Sequence, residues 1–508
     1  MNLHFRVTGF VCLLSFFLFS CKEKEKQNPA LSEPTAVLYD TTLNPFYHGV
    51  ASGDPLSDRV IIWTRVTPTD SVPAIEVQWQ VAKDSDFSGI VASDTVTTNP
   101  ARDYTVKVDV QGLEANQVYY YRFTALGRNS ITGKTKTTPT AAKDSLRFAV
   151  VSCSNWEFGY FNAYSAIAAK DIDAVLHLGD YIYEYATGKY GDTTIGRFNL
   201  PSHEIVSLQD YRTRHAQYRL DQGLRAVSQA HPFITIWDDH EFANNVYKSG
   251  AQNHQPEKEG DFEARKAAAR QAYYEWLPIR DSEKLYRSFS YGDLAQLIML
   301  DERIEGREEP PSTQDGTTAE RTMLGAEQLS WFEKQLASPA TWKLVGNQVV
   351  FSDILQEKVF PKSPRNLDSW DGYQAEKKKI KEFILGNKIS DVVFLAGDTH
   401  ASWAFEVATD ITAKYKPFAV EFGTTSVSSA NDDEYHSVDT VKMMENTMLQ
   451  SNPHIKYLND RDHGYLLLTL YPQKAKAEWF YVETLREANA REKLGKKMEV
   501  ARGSYSLK

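Results

Sequence analysis

From about residue 46 to residue 138 apolar and polar side chains alternate with period two, as in Val60 to Arg65, Glu76 to Val81 and Val118 to Phe123. Turn signals at Ser52-Gly53-Asp54-Pro55, Gly112 and Gly127 punctuate the alternation, and short strands at that spacing predict an antiparallel β-sandwich. From about Ser145 the pattern changes to continuous apolar runs at 146–152, 173–178, 232–237, 294–300, 343–351, 391–396 and 417–422. Amphipathic helices are expected between them, from Leu208 to Gln229, Phe262 to Trp276, Ala326 to Leu336 and Tyr373 to Leu385, which implies βα layers around mostly parallel sheet. Near the end, Tyr465 to Tyr471 and Ala477 to Val482 read as a β-hairpin, followed by a charged helix from about Arg486 to Glu499. No internal repeats are visible.

The run Val7 to Ser20 is strongly apolar but too short to span a bilayer, and reads as the core of a signal peptide. It ends in Leu18-Phe19-Ser20-Cys21, which resembles a bacterial lipobox, so Cys21 is expected to become the lipidated first residue; an ordinary cleaved signal is the alternative. The Lys22 to Lys26 tract and the polar stretch beyond it read as a solvated tether. Lys22 in place of an aspartate favours sorting to an outer membrane, and with no twin-arginine pair the general secretory route is the simpler one. The resulting division is a signal at 1–20, a tether at 21–44, a β-sandwich at 45–140 and a catalytic region at 145–508.

The length of 508 residues suits a multidomain enzyme with a large core, and the net charge of −10 argues against a nucleic-acid-binding surface. Of three cysteines, Cys12 departs with the signal and Cys21 is acylated, leaving Cys153 as a lone thiol with no disulfide partner. In an oxidising compartment such a thiol is expected to be buried or bound to a metal.

Four motifs follow apolar runs: Ser152-Cys153-Ser154-Asn155, Gly179-Asp180-Tyr181-Ile182-Tyr183, Asp238-Asp239-His240-Glu241 and Gly397-Asp398-Thr399-His400. Strand ends carrying thiol, carboxylate, phenol and imidazole point to a multi-metal site at the carboxyl edge of a sheet. Gly179 lets the chain turn so that Asp180 can bridge two cations, as two-metal hydrolysis requires, and Tyr183 can bring a phenolate to one of them. Asp239 and the amides of Asn244 and Asn245 offer oxygens suited to a hard cation, and His240 can donate a proton to a leaving oxygen. Spacing two puts Asp398 and His400 on one side of the chain.

On these motifs, together with His48 to Pro55 and Asp368 to Tyr373, the chain resembles the PhoD-like alkaline phosphatases of the calcineurin-like metallophosphoesterase superfamily. Leu113 to Arg122 similarly resembles the entry to the F strand of a fibronectin type III-like domain, with a tyrosine at the corner. The fold implied is α/β, a metallophosphoesterase-type β-sandwich core flanked by helices and preceded by an all-β fibronectin type III or immunoglobulin-like domain. The resemblance further implies phosphoester hydrolysis at an iron (Fe3+) and calcium (Ca2+) centre, Cys153 ligating iron beside Asp180, Tyr183, Asp398 and His400. Cys153 stands where the wider superfamily has an Asp-x-His motif, and Asp398 where many members have histidine. Thiolate and phenolate suit Fe3+, and added carboxylates and amides suit Ca2+, with Zn2+ or Mn2+ as the alternative.

Which of Asp239, Asn244 and Asn245 completes the calcium shell stays open. The expected mechanism is in-line attack on a phosphate of the monoester or diester substrate by metal-activated hydroxide. Arg303 is a candidate clamp for a phosphoryl oxygen, the alternative being an ordinary ion pair. Glu302, where family members often carry threonine, is expected to make the neighbourhood more negative. A phospholipase- or nuclease-type diesterase of the same superfamily is the second reading. A glycan-binding or adhesive surface lipoprotein is the third, and the intact ligand series argues against it. A monomer is expected.

Overall fold

The computed structural model describes residues 33–313, 320–408, 411 and 414–508. The signal, the lipobox and the first part of the tether therefore lie outside the described residues. The tether expected to reach residue 44 ends sooner, because residues from Glu33 onward are docked. Pro34–Leu38 and Thr41–Leu43 form short 3-10 turns. Glu33 pairs with Arg65 at 3.0 Å and the Tyr39 ring stacks on Tyr47 at 4.2 Å.

Two large sheets make the body of the molecule. The seven-stranded sheet runs Arg287–Tyr291, Ala295–Met299, Trp342–Gly346, Val392–Ala396, Pro417–Gly423, Ser402–Ala408, Ile455–Asn459. Its central four strands are parallel and their side chains alternate between two buried faces. Leu297, Leu344 and Val393 enter the core shared with the other sheet, whereas Ile298, Val345 and Phe394 pack under the helices Gly325–Leu336 and Gln374–Gly386. Burial on both faces is why these strands read as continuous apolar runs.

The nine-stranded sheet runs Glu492–Ala501, Lys474–Val482, Gly464–Tyr471, Leu146–Val151, Ala174–His177, Pro232–Thr235, Val50–Gly53, Arg59–Arg65, Thr105–Gln111. Its last three strands come from the N-terminal region, Val50–Gly53 lying parallel to Pro232–Thr235. The remaining N-terminal strands, Ile75–Ala82, Ile90–Thr98, Val118–Ala125, Arg128–Asn129 and Gly133–Lys136, form a separate five-stranded sheet. Val60, Ile62 and Val106 from one sheet meet Val77, Trp79 and Tyr121 from the other in one core. The all-β N-terminal sandwich is thus built partly on the sheet of the catalytic region.

The tyrosine corner is formed: the hydroxyl of buried Tyr119 accepts from the backbone N–H of Glu114 at 2.9 Å. Tyr119→Phe is expected to cost about 1 kcal/mol, the usual net worth of one hydrogen bond. Thermal denaturation should register the loss with phosphatase turnover unchanged.

Three sequence expectations are corrected. The charged segment from Arg486 to Glu499 is not a helix; Glu492–Ala501 is an edge strand paired antiparallel with Lys474–Val482. Met498 and Val500 point inward while Lys497 and Glu499 stay in solvent, and a charged outer edge resists sheet-to-sheet association. Leu208 to Gln229 is two helices, Leu208–Arg219 and Gln222–Ala230, because the Asp221 side chain caps a new N-terminus at Gly223 and Leu224. The strand expected at 343–351 stops at Gly346, after which Gln348 and Val349 donate their backbone N–H groups to Glu302 at 2.9 and 3.0 Å.

Candidate metal centre

The parallel strands Leu146–Val151, Ala174–His177, Pro232–Thr235 and Val392–Ala396 all end at one place, and each of the four motifs begins just past its strand. The two sheets are joined there: Ser152 bridges Ser426, and the Val427 N–H donates to the Ser152 carbonyl at 2.9 Å. The chain turns sharply to aim its ligands. Cys153, Asp180, Asp398 and His400 have φ of 61°, 56°, 61° and 60°, a region that non-glycine residues enter at a cost of order 1–3 kcal/mol each. Strain at four neighbouring polar residues marks a place where side-chain direction outweighs backbone comfort.

Gly179 is part of the same device. It has φ of 110°, and a Cβ there would stand 2.3 Å from Asp238 Cβ. Gly179→Ala is expected to push the Asp180 and Asp238 loops apart, lowering thermal stability and phosphatase activity together. Retention of both would show that the close approach is dispensable.

Side chains from the motifs converge in three groups, Cys153–Asp180–His400, Asp180–Asp239–His240 and Asp238–Asp239–Asp398, each with ligand atoms within 4.8 Å of one another. Asp180 belongs to two of them. Tyr183 is buried at the first group, its hydroxyl donating to Asp180 Oδ2 at 3.0 Å and accepting from Ser429 at 2.6 Å. His400 Nδ1 donates to the Ala430 carbonyl at 2.7 Å, which leaves Nε2 as the lone-pair nitrogen beside Tyr183. His240 Nδ1 is held by Glu184 at 2.7 Å, and its ring lies 4.3 Å from the Tyr183 ring.

The electrostatics favour a cation. Burial drives the Cys153 thiol well up, and the neighbouring Asp180 adds to the rise. Asp180 itself is raised well above the carboxylate range by burial, against the pull of His240, and Asp238, Asp239 and Glu241 add to the rise. Burial also raises Asp238 and Asp398 despite the opposing Arg303. Against its own burial, His240 is held well above the ordinary imidazole range by Asp239, Glu184 and Asp180. Burial pushes Asp239 up as well, but Arg303 and His240 bring it down to about 2; Asp180, Asp238 and Asp398 keep their protons unless further positive charge sits among them. Asp238 Oδ2 and Asp239 Oδ1 are buried with no hydrogen-bond partner among the described residues. The donor set fits a multi-metal group.

Arg303 is fully buried inside the carboxylates. It pairs with Asp238, with Asp368 at 2.6 Å, Asp398 at 2.9 Å and Asp239 at 3.6 Å. Asn244 and Asn245 lie next to the second group; both side-chain amides donate to Gln252, at 2.8 and 2.9 Å, and the Asn245 N–H donates to Asp239 Oδ2 at 2.6 Å. Glu302 does not face the cluster with an open carboxylate: it binds Trp370 Nε1 at 2.7 Å besides the two backbone groups already named.

Sequence reasoning passed over several residues. Asp238 joins a ligand group, a role the Asp-Asp doublet could have signalled. Asp368 braces both Arg303 and Arg307. Glu241 accepts from the backbone N–H groups of Asp180, Tyr181 and Asp238 at 3.1, 2.6 and 2.8 Å, so one buried carboxylate ties two ligand loops together. Ser429 carries no motif at all and reaches Tyr183 only through the fold.

Residues 148–479 match the family model of the PhoD-like phosphatases, and residues 33–139 match the N-terminal domain of the same family. Alkaline phosphatase D of Bacillus subtilis (strain 168) is 39% identical over 475 residues, covering 88% of this chain and 79% of that protein. The solved structure of PhoD superposes with a TM-score of 0.82 at 37% identity, covering 91% of this chain and 92% of the other. The chain belongs to the PhoD-like phosphatase family and is a phosphoester hydrolase.

Proposed function

We propose that the strand-end cluster is a multi-metal centre of iron and calcium, with zinc or manganese as the alternative, that hydrolyses phosphate monoesters or diesters. The observation that supports this most is that Asp180 belongs both to a group containing Cys153 and His400 and to one containing Asp239 and His240. Bound there, metals would supply Lewis acidity toward the phosphate and activate water. In this reading Cys153, Asp180, Tyr183 and His400 hold the iron side. Asp398, expected beside the iron, groups instead with Asp238 and Asp239, so in this reading Asp239 and Asp398 hold the calcium side, with Asn244 and Asn245 adjoining it.

The chain's own residues then divide the remaining work. His240, fixed through Nδ1 by Glu184 and made more basic, against its own burial, by Asp239, Glu184 and Asp180, would donate its Nε2 proton to the departing oxygen. Arg303 stands in the ion-pair arrangement, with Nε on Asp238, Nη1 on Asp368 and Nη2 on Asp398, and would turn a nitrogen to a phosphoryl oxygen only as those carboxylates are taken over by metals. Glu241 keeps the Asp180 and Asp238 loops in register, so the ligand geometry is set before substrate arrives.

The same proposal includes export and anchoring through a lipid on Cys21 at the outer membrane, with the sandwich at 45–140 and the catalytic region at 145–508 as its two folded parts and a monomeric state. No helix among the described residues is long and apolar enough to cross a membrane. Cys21→Ala is expected to move the protein from the membrane to the soluble fraction without changing its turnover. Cleavage of a chromogenic phosphoester by purified protein, abolished by chelation and restored by adding back iron and calcium, tests the catalytic half. Turnover that survives complete chelation would end it.

A further inference from the structure

Beside the metal-ligand cluster lies a cavity of about 260 Å3 whose wall includes Asp398 and Thr399. The indole of Trp403, also in the wall, donates to Thr399 Oγ1 at 2.9 Å, so the cavity and the ligand loop are fastened to each other. Its other side is the apolar face of the helix Val438–Ser451, which presents Val441, Met444 and Met448. A volume below the roughly 300–1,000 Å3 of drug-sized pockets suits one ring or a short chain.

The charge of the lining is one-sided. Asp432, Glu445 and Asp460 border the cavity, and no lysine or arginine is among the described residues that line it. Glu445 is paired with Arg461 at 2.9 Å from outside. The Asp432 N–H donates to Asp460 Oδ1 at 3.4 Å, and burial together with Asp432 pushes the Asp460 carboxyl well up, a sign that this end of the cavity disfavours added negative charge. A second phosphate or a carboxylate on the substrate would therefore enter a negative, partly apolar space with nothing to neutralise it.

We propose that this cavity receives the alcohol half of the ester, and that the enzyme selects phosphoesters of apolar alcohols without negative charge. The inference rests on the phosphoesterase reading of the cluster and names the substrate class for that site. Phosphate seated at Asp398 would direct its ester oxygen past Thr399, and the organic group would lie against Trp403 and the methionines, whose unbranched side chains adapt to varied shapes.

Two pairs of esters with similar leaving groups test it on the metal-loaded enzyme. Hexyl phosphate is expected to exceed ethyl phosphate in kcat/KM by at least about tenfold, since each buried methylene adds favourable transfer energy. Phenyl phosphate is expected to exceed 4-carboxyphenyl phosphate by about the same factor, the added carboxylate being the group the cavity rejects. Met444→Trp, which fills the cavity from the helix, should erase the hexyl advantage, and Asp432→Asn should narrow the gap between the two phenyl esters. Equal kcat/KM within each wild-type pair would overturn the pocket while leaving the phosphoesterase reading intact. If Met444→Trp does not fold, the two wild-type ratios decide alone. Failure to hydrolyse any of the four would overturn the pocket, and the phosphoesterase reading falls with it only if a chromogenic phosphodiester is also left intact.

Discussion

Asp180→Asn is expected to reduce phosphoester hydrolysis by about 10³-fold, equivalent to ~4 kcal/mol of barrier at ~1.36 kcal/mol per decade. The size follows from position. Asp180 is shared by the Cys153–His400 group and the Asp239–His240 group, so its loss weakens both ends of the centre at once. The substitution preserves shape, and the loop is held independently by the Glu241 contacts to the Asp180 and Tyr181 N–H groups. Fold and activity are therefore separable. Burial already disfavours the Asp180 charge, so the metal-stripped variant should melt at or above the temperature of the stripped wild type. The stabilisation that metals add to wild type by binding only the folded state should largely vanish. A variant that keeps wild-type turnover and the wild-type metal-induced shift in melting would remove Asp180 from the centre.

Cys153→Ser should act on metal identity more than on folding. The thiol is buried, has φ of 61° and is the free cysteine of the described residues. A hydroxyl of similar shape can occupy the space, yet its oxygen is a harder ligand and gives up its proton far less readily than sulfur. Iron content is expected to fall several-fold, with turnover reduced by at least about 10- to 100-fold, since altering only the partners behind metal ligands already costs that much. The visible absorption expected from thiolate or phenolate on iron should shift or weaken in the same preparation. Unchanged iron and unchanged absorption would place the thiol outside the centre and leave it as buried filling.

Much of this was legible in the chain because two kinds of pattern are local. Period-two alternation exposed the N-terminal strands, and doubly buried strands exposed themselves as apolar runs ending in ligands. Gly179 marked the turn that makes Asp180 face inward. What stayed hidden depends on partners distant in sequence. Glu492–Ala501 carries so much charge that its inward Met498 and Val500 are outweighed until the neighbouring strand is known. Glu241 looks like the tail of the Asp238-Asp239-His240 motif, yet its function is to grip a loop sixty residues away. Ser429 and Ala430 orient Tyr183 and His400 from a segment with no chemical signature. The sharing of one sheet between the N-terminal and catalytic regions was likewise invisible, since strand neighbours are set by the whole topology.

The most direct test is element-resolved metal analysis of the natively exported protein, measured alongside its phosphoester turnover. Iron at about one per chain accompanied by calcium, both lost with activity on chelation, is the result expected from a centre that joins Cys153, Tyr183 and His400 to a carboxylate-rich side through Asp180. Zinc alone with full activity and no iron would contradict the role given to Cys153 and to the centre built around it.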